Sequence, residues 1–153
     1  MDPFSLIAGV GGLISVTVQI AEILKAFTSD MHDAPEFAIE VASESSAMAI
    51  IFKQVQQFLQ NAADTTAPNI DLSPFHETLE LCEQTFSRLG ALVRGLEDPD
   101  GVDITHTFSG RFRWTSEKIY ISRLLRILNT QKGTLTLLLQ LYMWCAPIAS
   151  KLN

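Results

Sequence analysis

Apolar residues recur by fours and threes along much of this 153-residue chain. The clearest run is Phe75, Leu79, Cys82, Phe86, Leu89, Val93 and Leu96, a heptad seam that predicts an amphipathic helix over 74–96. A second stripe, Phe37, Val41, Met48, Phe52, Val55 and Leu59, broadened by Ile51 and Phe58, predicts a helix over 35–63. A third, Ile121, Leu124, Leu128, Leu135, Leu138 and Tyr142, predicts a helix over 116–146, interrupted by Gln131. The opening stretch, Pro3 to Ala21, is uncharged throughout and predicts an apolar helix over 3–28.

Helix breakers agree with this division. Asp2-Pro3, Asp33-Ala34-Pro35 and Ser73-Pro74 each set a capping residue ahead of a proline, which the first helical turn tolerates. Thr115 and Ser116 offer a hydroxyl cap to the last helix, and Pro147 is expected to end or kink it near Trp144. The connection over 97–114 contains the turn signal Asp98-Pro99-Asp100-Gly101 and reads as loop. The expected architecture is all-α: one domain over 1–153, an up-and-down bundle of four long helices with a long connection before the last. The stretch Leu135–Trp144 is apolar nearly all round, so that part of the last helix is expected in the centre of the bundle, with Tyr142 and Trp144 in the core rather than at an interface.

Composition narrows the function. With 47% hydrophobic and 18% charged residues the chain is a folded domain, and a net charge of −6 argues against nucleic-acid binding. Cys82 and Cys145 lack metal or redox spacing and read as reduced thiols, and His32, His76 and His106 are scattered. Gly9-Val10-Gly11-Gly12 follows no strand and precedes no Lys-Thr pair, so it is not a phosphate loop. Glu36/Glu40 and Glu80/Glu83 lie on polar helix faces. Nothing supports catalysis, a cofactor, a metal or a small-molecule substrate. Asp2 stands where a signal peptide needs positive charge, so the first helix is not read as a secretory leader.

Two features carry candidate chemistry. In the first helix, Ser5/Gly9, Ala8/Gly12 and Gly11/Ser15 form small-residue ladders four apart, which permit close backbone approach in a soluble bundle or in a bilayer. Three interior glycines weaken the helix by roughly 3 kcal/mol, which some packing or function should offset. In the second feature, Arg111, Arg113, Lys118, Arg123, Arg126 and Lys132 gather six of the eleven basic residues beside a single acid, Glu117. Such a cluster suits anionic lipid head groups or an acidic partner patch, or else salt bridges to neighbouring helices.

The opening Met-Asp-Pro-Phe-Ser-Leu-Ile-Ala-Gly-Val-Gly-Gly-Leu-Ile-Ser, with Ala21-Glu22-Ile23-Leu24-Lys25, Asp33-Ala34-Pro35, Trp114, Ser116-Glu117-Lys118-Ile119 and Gln131-Lys132-Gly133-Thr134-Leu135, resembles a fungal family. That family is the N-terminal domain of STAND proteins, also named after the azaphilone pigment cluster protein L, and it is similar in plan to HeLo and HeLo-like domains. The resemblance implies a helical effector module of a NOD-like receptor, ahead of a nucleotide-binding switch and repeats. It further implies a cytoplasmic domain that self-associates and moves to the plasma membrane to trigger cell death. The membrane-inserting role would fall on the first helix, with Phe4, Leu6, Ile7, Gly9, Gly11, Gly12, Leu13, Ile14 and Val18. The alternative is a non-lytic protein-interaction or self-association module that recruits a downstream partner.

Overall fold

Four helices, α1 (Pro3–Ser29), α2 (Glu36–Asp64), α3 (Ser73–Arg94) and α4 (Lys118–Lys151), make up the computed structural model. It describes residues 2–29, 36–64, 70–94 and 118–151, with side chains through Trp144. The expected all-α four-helix bundle is the architecture observed.

Capping chemistry sets two of the helix starts. The Asp2 carboxylate accepts the Phe4 N–H at 3.1 Å, leaving Pro3 in the first turn where no donor is needed. At α3 the cap differs from expectation: Asp71, not Ser73, supplies the acceptor, taking the Ser73 N–H at 3.0 Å. The His76 N–H then closes the first turn onto the Leu72 carbonyl at 3.1 Å. A carboxylate is the stronger acceptor, and these hydrogen bonds to Ser73 hold the Asp71 carboxyl below its ordinary pKa of 3.8. The expected caps at Asp33 and at Thr115/Ser116, and the expected loop over 97–114, lie outside the described residues.

Chain order does not match spatial order. α1 packs against α2 and α3, and α4 packs against the same two, so α1 and α4 stand on one diagonal and α2 and α3 on the other. The seam over 74–96 faces the core as expected: Phe75, Leu79, Cys82, Phe86, Leu89 and Val93 are buried. Phe52 meets Phe86 edge-on at 5.9 Å, and Phe58 stacks on Phe75 at 5.5 Å, joining α2 to α3 through the middle. Gln131, the interruption in the α4 stripe, is buried and donates to the Thr85 hydroxyl at 2.9 Å. It ties α4 to α3 through its amide nitrogen, while its amide oxygen is buried without a hydrogen-bond partner among the described residues.

Two expectations about α4 are met only in part. The helix continues past Pro147 to Lys151, since a proline removes one backbone donor and need not end a helix. Nor is Leu135–Trp144 central throughout, although Tyr142 is half-buried and sets its ring against Phe58 and Phe75 as expected of a core residue. Leu135 and Leu139 are buried, but Leu137 (56%), Leu141 (52%), Met143 (62%) and Trp144 (78%) are exposed. Among the described helices, α2 and α3 are the main neighbours of α4, and they cover one face of it. Trp144 lies nine positions beyond Leu135, about half a turn of azimuth away at 3.6 residues per turn.

Candidate functional site

The two sequence features lie on opposite corners of the bundle. α1 points Leu6, Val10, Leu13, Thr17, Ile20, Leu24 and Phe27 inward. Of the expected membrane-insertion residues, Leu6 and Leu13 are buried, and Ile7, Gly11, Ile14 and Val18 are half-buried. Gly9 and Gly12 are exposed, and Phe4 stands 67% exposed in the single chain.

The glycines are not where the helices approach most closely. A Cβ built on Gly9 or Gly12 meets nothing within 4 Å, and one on Gly11 would reach only the Gln56 amide nitrogen at 3.4 Å. Other small residues are the buried ones on these two helices. Ala38, Ala42, Ser45 and Ala49, alternating by four and three, are buried on α2, as are Thr17 and Ala21 on α1. The Thr17 and Ser45 hydroxyls are fully buried and find no hydrogen-bond partner among the described residues. Each orphan hydroxyl carries a desolvation penalty, which weakens the hold on α1.

The basic cluster divides. Arg111 and Arg113 lie outside the described residues. Lys132 is not available to a lipid surface: its ammonium bonds both Glu44 carboxylate oxygens, at 3.0 and 2.9 Å, tying α4 to α2. This is the salt-bridge reading of that residue. Lys118, Arg123 and Arg126 are exposed.

Sequence reasoning missed the exposed apolar row Leu137, Leu141 and Trp144, spaced by four and three on the outer face of α4. The signal was the phase of this row relative to Leu128 and Leu135, which the overall apolarity of the segment masked.

No catalytic arrangement appears among the described residues, where no three His, Cys, Asp or Glu side chains group as a metal site. His76 pairs with Glu80 one turn on, at 3.1 Å on the surface of α3. Burial pushes the Cys82 thiol up to about 12, so it is a packed core group and not a nucleophile. By length and composition α1 is able to cross a membrane, although core helices and signal sequences share that property. Comparison with family models, with curated proteins and with solved structures found no match to this chain.

Proposed function

We propose that this chain is a membrane-targeting, self-associating signalling domain whose first helix is the effector, leaving the bundle to enter a bilayer. The observation that carries the reading is the composition of the outer face of α1. Phe4, Ala8, Gly12 and Ser15 are exposed there, no charge occurs between Pro3 and Ala21, and 33% of the most apolar 18-residue window is buried. A bundle usually gives the solvent face of an edge helix charges. An uncharged outer face joined to an apolar inner face suits hydrocarbon on all sides. The orphan hydroxyls of Thr17 and Ser45 make separation of α1 from α2 less costly. The resemblance of the opening residues to fungal NOD-like receptor effector domains supports the same reading. It places the domain in the cytoplasm at rest and at the plasma membrane, in cell-death signalling, when active.

Gly12→Glu tests this without disturbing the core, because the position is exposed and open. The variant should fold as the parent does by circular dichroism. It should lose most leakage of anionic vesicles, since a charge near the bilayer centre costs about 2.5–3.5 kcal/mol. Full leakage by the folded variant overturns the effector role of α1. A parent chain that self-associates but never permeabilises vesicles supports the non-lytic interaction module instead.

A further inference from the structure

We infer that the outer face of α4 is a lipid-docking surface, on which the intact bundle lies against an anionic membrane before any helix is released. The inference deepens the proposed function by naming the surface of first contact, and it rests on that reading for its biological purpose.

Three observations converge on this face. From Lys118 to Lys151 the helix itself has no acidic residue in a chain of net charge −6, and Glu44 of α2, which lies against it, is paired with Lys132. The first half of the face presents Arg123 and Arg126, with Lys118 and Ile119 exposed at the helix start. The second half presents Leu137, Leu141 and Trp144 in one row, each more than half exposed. Isolated exposed leucines are ordinary, but an aligned pair ending in a tryptophan on an otherwise folded helix is not. The row from Arg123 to Trp144 is about 31 Å long at 1.5 Å per residue.

A membrane satisfies both halves with one surface. Head groups neutralise the arginines, whose stems lie along the interface while their charged ends stay in the polar layer. Leucine and tryptophan enter the boundary with the acyl chains, where tryptophan is favoured. An acidic protein partner would need a matching apolar groove beyond its acidic patch. A lipid leaflet carries that combination everywhere, so charge complementarity and the apolar row together favour lipid.

The diagonal arrangement adds a consequence. With α4 against the membrane, α1 lies on the far corner of the bundle. Docking therefore holds the apolar α1 away from the bilayer until it leaves its place, which separates adhesion from insertion.

Vesicle flotation of the full chain tests the surface, with phosphatidylserine-containing and pure phosphatidylcholine vesicles compared. Parent protein should float with the anionic vesicles and far less with neutral ones. Arg123→Gln and Arg126→Gln should each weaken binding about five-fold. The combined Leu137→Ser, Leu141→Ser, Trp144→Ser variant should weaken it by at least roughly ten-fold, while keeping parental helicity and melting. In a Trp114→Phe background, Trp144 fluorescence should shift to the blue on vesicle addition. Gly12→Glu separates the two readings: it should float like the parent and yet not cause leakage. Equal flotation of parent and triple variant, or equal binding to neutral and anionic vesicles, overturns the docking surface. So does a triple variant that dissociates an oligomer but floats unchanged, which would make the row a contact between copies of this chain.

Discussion

On α1 the large side chains turn inward and the smallest outward: Val10 and Leu24 are fully buried, while Gly9 and Gly12 face solvent. The second half of α4 also buries large residues, Leu135 among them, but leaves Leu137, Leu141 and Trp144 outside. Both stretches are apolar, although among the described residues α1 is the one helix long and apolar enough to cross a membrane. What further separates them is phase. α1 keeps most of its large residues on the stripe that meets α2 and α3 and its half-buried flanks, with Phe4 and Val16 exposed, whereas α4 carries large residues around most of its circumference. A surface helix needs apolar residues on one face, so the excess on α4 invites a function as much as the glycine face of α1 does.

The largest effects should come from breaking the inner stripe. Leu24→Ala removes a fully buried side chain from α1 and should destabilise the bundle by about 2–5 kcal/mol in urea unfolding. Phe86→Ala, which also loses the edge-on contact with Phe52, should cost about 3–5 kcal/mol. Leu137→Ala on the outer face of α4 should change stability by less than about 0.5 kcal/mol. Similar losses for Leu24→Ala and Leu137→Ala would mean that the outer row of α4 is covered in the assembled protein.

The inner stripe was also the part most legible in the sequence. Phe75 through Val93 could be read directly because a heptad seam is a local pattern, and three of the helix spans followed from similar stripes. The diagonal placement of α2 and α3 was not legible, since nothing local states which neighbour a stripe will meet. For the same reason Gln131 read only as an interruption; its partner Thr85 is 46 positions away. The small-residue ladders of α1 drew attention, but the small residues that are most buried lie elsewhere. Gly9 and Gly12 attract attention because glycine is rare inside helices, while Ala38, Ala42, Ser45 and Ala49 look ordinary and are the buried ones. On the candidate site, the exposed Arg123 and Arg126 were legible as a basic cluster, but the pairing of Lys132 with Glu44 needed the packing of α4 on α2.

Alanine at Gly9 or Gly12 sharpens the comparison at the next scale. Both positions are helical and have open space where the Cβ would go, so the substitution removes a flexible residue without a clash. Each should stabilise the bundle by about 0.5–1 kcal/mol, seen as a higher unfolding midpoint with an unchanged slope. The pair should add, because no shared contact couples them. Destabilisation by either alanine would show that another copy or segment packs on this face. Slower vesicle leakage from the stabilised double variant would connect the weakness of α1 with its release.

The smallest effect distinguishes the two kinds of cation on α4. Lys132 is half-buried and held by both oxygens of Glu44, whereas Arg126 is exposed. Lys132→Gln should cost about 0.5–1 kcal/mol of stability, near the upper end for a partly exposed pair, with the loss shrinking as salt is raised. Glu44→Gln should cost a similar amount, and the double variant should cost less than the sum, because either change alone already breaks the pair. Vesicle binding by Lys132→Gln should stay at the parental level, since that ammonium is already satisfied within the bundle. Arg126→Gln should show the opposite pattern, with unchanged stability and weaker binding to anionic vesicles. The crossing of the two variants carries the information, because a general effect of positive charge would lower binding in both. If Lys132→Gln weakens flotation as much as Arg126→Gln does, the ion pair with Glu44 opens at the membrane, and the division of α4 into an inner and an outer set of cations fails.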